Sequence, residues 1–369
     1  MSVETESRTA LHELIDTLKE VDARWSSEEW NLHSPQDVAL SHRAIMHYLA
    51  TGLVLFNEND ATRPDFRRIV TQTRKITGDN PDAIYFDACI SPEYSYRVCG
   101  KIHCAAYFSL TTDKGTEMGG MHTEIAGVLN DTTMEIAEDG SFEVFLGGEP
   151  RESNWLPLAE GVSRITTRHY FENETAAAAD PSCDPPLTIE TLNPGPPPAA
   201  PDDVSIAAGI RRVAEFLRTR TLGIEPMANR EQPDFVSIVP NQFPEPVPPG
   251  DFGFTAADAH YCLAPYFLGP DDALVITGRW PDCRCANVAL WNRLTQTFDY
   301  ANRGISLNRK QTELEADGSF RMIIAHEDPG KPNWMDTEGN ALGLAFWRFM
   351  LVEGEVETPQ AQVVKFSEL

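Results

Sequence analysis

Apolar positions recur along this chain with two periods. Between Pro35 and Phe56, Val38, Ile45, Leu49 and Leu53 fall near one face of a helix, and Ile206, Ile210, Val213 and Phe216 do the same after Asp202. Ser34-Pro35 and Asp202 are N-cap signals, and Gly223 is a C-terminal stop. A further helix is expected over Ser7 to Trp25. The other pattern belongs to strands. "SYRVCGKIHCAAYFSLTT" and "DALVITGRWPDCRCANVALWN" are rich in β-branched and aromatic residues broken at turn-like places. Asp-Gly at 139–140 and at 317–318 predicts hairpin turns of type I′, each releasing a strand, "SFEVFLG" and "SFRMIIA".

These strand patterns occur twice. A shift of 178 residues brings Pro92 onto Pro270, Gly100 onto Gly278, Asn130 onto Asn308 and Asp139-Gly140-Ser141-Phe142 onto Asp317-Gly318-Ser319-Phe320. After one inserted residue Asn154-Trp155 meets Asn333-Trp334, and after another Arg168 meets Arg348. Upstream, "PDF" recurs at Pro64 and Pro233, and "DAIY" from Asp82 answers "DAHY" from Asp258. Repeats of this length mark a duplicated domain. The expected fold is mainly β with peripheral helices (α+β), made of two related jelly-roll or β-sandwich-like units from internal duplication.

The expected organisation is a helical region over 1–80, a first β unit over 81–172 and a Pro-rich linker over 173–203. A helix and Pro-rich loop over 204–257 and a second β unit over 258–369 complete it. Proline removes amide donors and favours extended chain, so the linker and the loop from Pro240 to Phe254 read as straps ordered against the surface.

With 369 residues, 41% of them apolar, the chain can build two cores. Its 56 Asp and Glu against 30 Lys and Arg give a net charge of -26, which repels nucleic-acid backbones and anionic lipid. The first residues lack the basic-then-apolar order of a secretory signal, and no apolar run spans a bilayer. Seven cysteines form no disulfide framework. A cytoplasmic, soluble protein is expected.

The second half resembles a bacterial family, the domain of unknown function numbered twelve-fourteen. The resemblance rests on Asn308, Gln311, Asp317-Gly318, Asp328-Pro329-Gly330 and Asn333-Trp334-Met335-Asp336, and covers Ala257 to Leu369; the first half carries weaker echoes. It implies a mainly β, jelly-roll-like architecture and brings no activity.

A duplicated fold keeps its scaffold twice but needs one active site. Recurrent Asn-Trp, at Trp155 and Trp334, therefore reads as scaffold, and polar residues found in one half become the candidates. His326 with Asp336 and Asp328 is the candidate acid–base group, since histidine titrates near neutrality. Arg348, Trp291, Arg97 and Asn333 are the candidate substrate-binding residues, Arg348 for an anionic group and Arg97, on a strand, as a ligand anchor or a surface cation. His103, His122 and His169 also lack polar counterparts in the second half. No His-x-His pair occurs, and Cys283-x-Cys285, His103-Cys104 and His260-x-Cys262 are too sparse for a zinc site, so neither metal nor other cofactor is expected. The nucleotide and hydrolase glycine motifs are absent from the sequence.

The leading expectation is a protein that binds a small organic molecule within or between its halves, with metal-independent acid–base chemistry as the reaction open to it. Nucleic acid and membranes are not expected partners; a homo-oligomer stays open. The rival readings are a non-catalytic carbohydrate- or lipid-binding module and a structural or oligomerisation protein. An enclosed pocket where histidine meets a carboxylate separates the first reading from an open aromatic groove.

Overall fold

The computed structural model describes residues 3–250, 256 and 258–369. Three helices come forward as the periodicity predicts: α1 (Glu6–Trp25), α2 (Pro35–Gly52) and α3 (Asp203–Arg220). Ser34 caps α2, accepting from the Asp37 amide at 3.1 Å, with Pro35 opening the first turn. Asp202 caps α3 through the Ser205 amide at 2.8 Å. Part of each apolar stripe meets in one cluster with Val21, Trp25, Ile45, Tyr48, Val213, Phe216 and Leu217, whereas Leu53 and Ile206, expected on the same faces, are exposed.

The first half contains β1 (Arg67–Arg68), β2 (Ala83–Cys89), β3 (Tyr96–Lys101), β4 (Tyr107–Lys114), β5 (Glu124–Asn130), β6 (Ser141–Leu146), β7 (Trp155–Leu156), β8 (Val162–Tyr170) and β9 (Leu187–Thr191). The second contains β10 (Ala259–Phe267), β11 (Asp272–Gly278), β12 (Cys285–Trp291), β13 (Ser306–Asn308), β14 (Phe320–Ala325), β15 (Trp334–Asp336), β16 (Leu342–Met350) and β17 (Gln360–Lys365). The sheet orders are β1-β2-β8-β4-β5 with β7-β6-β3-β9, and β10-β16-β12-β13 with β15-β14-β11-β17. Apart from β1, the second half repeats the first strand for strand. The duplication is a structural fact, and each half is a two-sheet β-sandwich.

The repeated glycine and phenylalanine have one explanation. Gly100 pairs with Phe142 across β3 and β6, and Gly278 with Phe320 across β11 and β14. Each ring lies where a glycine side chain would start, at 2.7 Å from that point for Gly100 and 2.8 Å for Gly278, so only glycine admits the aromatic. The turns before those phenylalanines differ from the type I′ expectation. Gly140 and Gly318 adopt φ of 79° and 81°, while Asp139 and Asp317 do not enter the left-handed region. The Gly140 amide donates to Ala137 and the Ala137 amide to Ser141, making a three-residue hairpin loop, with Asp139 holding Ser141.

Within the Pro-rich linker, β9 adds to the free edge of β3, so that stretch completes the first sandwich as well as connecting the halves. In the second Pro-rich loop Val247 bridges to Tyr261; residues 251–254 of that loop, and residue 257, lie outside the described residues.

The five-stranded sheet and the β10-β16-β12-β13 sheet face each other. Their strands β8 and β16 are buried on both faces, one turned to its own sandwich core and one to the partner half. The layer between halves holds Tyr107, Tyr170, Tyr261, Leu263, Trp291 and Phe346. A reciprocal polar link locks it: Asn308 donates to Asp82 at 3.2 Å, and Asn130 donates to Asp258 at 3.2 Å. No helix among the described residues is long and apolar enough to cross a membrane.

Candidate functional site

Where the two inner sheets diverge beyond that polar link, a cavity of about 400 Å³ opens, closed at one end by the helices and at another by the segment Ile224 to Val236. Its size lies in the ordinary range for small-molecule sites.

Sheet register matches the facing positions of the two walls one to one. Along β8 they are Arg164, Thr166, Arg168 and Tyr170; along β16 they are Leu344, Phe346, Arg348 and Met350. Tyr85 on β2 corresponds to Tyr261 on β10, and each pairs with its own arginine, Arg168 or Arg348. One row, tyrosine beside arginine, is thus kept in both halves. Beyond it the halves part company. Asp87, Thr166, Arg164 and Asp113 in the first half stand opposite Leu263, Phe346, Leu344 and Trp291 in the second. The cavity therefore has one polar wall and one apolar, aromatic wall.

Charge within it runs against the rest of the molecule. Six arginines and four carboxylates line the cavity in a chain with 56 acidic and 30 basic residues. Several are paired off. Arg164 grips Asp87 with Nε at 2.7 Å, both buried, and Arg293 lies 3.8 Å from Asp37. Burial pushes Arg164 and Arg220 down to about 9, which leaves both charged at neutral pH. Asp79 accepts from the Thr297 amide at 3.0 Å, and burial raises its carboxyl.

Arg168 and Arg348 are different. Arg168, 5% exposed, donates to Thr111 Oγ1 at 2.9 Å. Arg348, 3% exposed, donates through Nη2 to the Asp79 carbonyl at 3.1 Å and lies 4.1 Å from the Phe346 ring centre and 5.2 Å from that of Trp291. Its Nη1 has no hydrogen-bond acceptor among the described residues, and neither arginine forms an ion pair there. A buried cation without a carboxylate is expensive unless an anion joins it.

On the polar wall, Asp113 accepts from Thr166 Oγ1 at 2.9 Å. His122 shares the cavity; burial lowers its pKa, opposed by the Asp113 carboxylate and reinforced by Arg220 and Arg168. The ring is therefore neutral near pH 7. Burial pushes Tyr85 up to about 12 and Tyr170 and Tyr261 higher still, so these phenols remain donors.

Of the residues singled out from sequence, Arg348, Trp291 and His122 line the cavity. His326, Asp336 and Asp328 do not. His326 Nδ1 lies 2.6 Å from Thr337 Oγ1, Asp336 accepts from Arg303 at 2.6 Å, and exposed Asp328 accepts from the Gly330 amide at 2.7 Å. Nearness along the chain does not bring them together because each serves its own turn. Arg97 lies on the outer face of β3, donating to Glu190 at 2.6 Å and Glu143 at 3.2 Å. Asn333, at φ 58°, donates to the carbonyls of Glu313 and Arg321 at 2.8 and 3.1 Å, and Asn154 repeats this with Glu135 and Glu143. Trp155 and Trp334 are half-buried, each indole donating to a backbone carbonyl. Asn-Trp is scaffold in both halves. His103 is exposed beside the Ser182 carbonyl, and His169 is buried against Phe86 and Phe108.

Sequence reading missed Arg168, Asp113 and Thr166. The available signal was alternation: Arg164, Thr166 and Arg168 recur every second residue of one strand and so share one face. Among the described residues no group of three His, Cys, Asp or Glu side chains converges as a metal site.

Among solved structures, an uncharacterised protein from Burkholderia cenocepacia is 28% identical over 98% of both chains, with a TM-score of 0.85. The VPA0106 protein from Vibrio parahaemolyticus is 12% identical, covering 88% of this chain and 98% of its own, with a TM-score of 0.51, which speaks to fold alone. No curated protein matches the chain. The family described as "Protein of unknown function (DUF1214)" matches residues 87–173. The match falls on the first β unit rather than on Ala257 to Leu369, and the shared strand order of the two units accounts for the echoes of its motifs in the second. Over residues 87–173 the chain is similar to the DUF1214 family of proteins of unknown function.

Proposed function

We propose that the protein binds a small organic anion in the cavity between its halves, with the anionic group held between Arg168 and Arg348 and an apolar body against the aromatic wall. The observation that carries this reading is the pair of buried arginines that form no ion pair among the described residues, in an otherwise acidic molecule. Guanidinium groups recognise carboxylates and phosphates through forked hydrogen bonds, and a low-dielectric site strengthens them. Trp291 and Phe346 supply apolar contact while fixing Arg348. Metal-independent acid–base chemistry stays within this reading, with His122 beside Asp113 as the proton-handling pair in place of His326 and Asp336. Seven free cysteines suit a reducing cytoplasm.

The test is a thermal-unfolding screen of the full chain against aryl and alkyl carboxylates, each beside the alcohol of the same skeleton. A ligand that binds only the folded state raises the melting temperature with concentration. Carboxylates that stabilise while their alcohols do not support the reading; alcohols that stabilise as well as carboxylates contradict it.

A further inference from the structure

We propose that the ligand carries a hydrogen-bond donor as well as an anion, so that it is a hydroxy acid or an amino acid with an apolar body, and that Asp113 receives the donor. This rests on the anion reading above and adds to it. Asp113 is 4% exposed and lines the cavity. Its Oδ2 accepts from Thr166, but its Oδ1 accepts no hydrogen bond among the described residues. Arg348 Nη1, on the facing wall, has no acceptor there either.

Buried polar atoms in folded proteins nearly always find partners, so two such atoms of opposite character on facing walls of one cavity describe what enters it. A carboxylate oxygen accepts only, and it calls for an O–H or N–H. A guanidinium donates only, and it calls for an anion. A simple carboxylate meets the second need and leaves the first. A molecule with both groups meets both.

The comparison between halves points the same way. The position of Asp113 is held by Trp291 in the second half, and that of Thr166 by Phe346. If the cavity merely enclosed apolar bulk, the second half's solution would serve on both walls without a desolvated carboxylate. Scaffold positions such as Gly100 and Gly278 are the same in both halves, whereas Asp113 is present once and so is not required by the shared fold. The other groups about it are accounted for: Thr166 bonds its other oxygen, Arg164 is engaged by Asp87, and His122 sits in its field.

The test is calorimetric titration of the full chain with three ligands of one skeleton. Hydrocinnamate has the ring and carboxylate without a donor; phenyllactate adds a hydroxyl and phenylalanine an ammonium. The expected result is that phenyllactate or phenylalanine binds about tenfold more tightly than hydrocinnamate, since a hydrogen bond to a buried charge is worth about one such factor. Which of the two gains identifies the donor. Asp113→Asn should erase most of that gain, read within the variant as the ratio of phenyllactate or phenylalanine affinity to hydrocinnamate affinity. Equal affinities for the three in the wild-type chain would overturn the donor inference and leave the anion reading standing, and that comparison decides even where the variant does not fold. An advantage that survives in Asp113→Asn overturns it as well. If phenethyl alcohol binds as well as all three, or none of the three binds, both readings fall.

Discussion

Asn308 in the second half donates to Asp82 in the first, and the equivalent residues exchange roles on the other side, where Asn130 donates to Asp258. The contact is isologous, as in a symmetric dimer, although one chain makes it. Asn287 also donates to Asp82 at 2.9 Å, and Tyr107 donates to Asp258. This link fixes the two inner sheets against each other and so sets the width of the cavity beside it.

Removing one arm should loosen the halves. Asn308→Ala withdraws a donor from a buried carboxylate and from the Asn173 carbonyl, and Asn130→Ala withdraws one from Asp258. Each is expected to cost roughly 1–3 kcal/mol or more, the usual penalty for a buried polar group left without its partner. Urea unfolding measures this, and an unchanged midpoint for both variants would show that the link does not hold the interface.

Acid should destabilise the first sandwich through His169. Burial holds its pKa down at about 3, against an ordinary value of 6.5. The folded state therefore resists a proton that the unfolded chain accepts, so stability is lost as pH falls from about 6.5 towards about 3. The loss is up to about 1.4 kcal/mol per pH unit for this one group. His169→Phe, an aromatic replacement between Phe86 and Phe108, should flatten that part of the stability–pH curve. A variant curve parallel to that of wild type across the window would contradict this account.

The Asn-Trp pair should affect stability and leave binding alone. Asn333→Ala removes a side chain that donates to two carbonyls and accepts from the Glu313 amide, and should cost about 1–3 kcal/mol. His326→Ala and Asp336→Asn, remote from the cavity lining, should leave ligand affinity within about twofold, the scatter expected of substitutions without contact to a site. Loss of ligand binding in His326→Ala with an unchanged melting temperature would restore the loop as a site.

The duplication was legible because its punctuation is physical. Gly100 and Gly278 recur since a phenylalanine ring covers each, and Asp139-Gly140 and Asp317-Gly318 recur since both turns need a left-handed residue. The helix ends were legible in Ser34, Pro35 and Asp202 for the same reason. The site was less so. Arg348 and Trp291 were visible as candidates, yet their meaning depends on Arg168 and Asp113, which lie 180 and 178 residues earlier in the chain and meet them only once two sheets stack. The principle that recurrence marks scaffold served well for Trp155 and Trp334, and applied to Asn333 it would have removed that residue from the binding candidates. It pointed away from Arg168 as the counterpart of Arg348, because a cavity on a pseudo-symmetry axis can use both copies of one residue.

The measurement that bears most directly on the central claim is the affinity of the tightest carboxylate from the screen for wild type, Arg168→Met, Arg348→Met and the double variant. Each titration is set beside the neutral alcohol of the same skeleton, with melting curves to show that every variant folds. The account predicts that each single substitution weakens the carboxylate by about tenfold or more and the alcohol hardly at all. The double variant should lose the preference for the anion altogether. Carboxylate affinities that stay at the wild-type value in both folded single variants would contradict an anion held between Arg168 and Arg348.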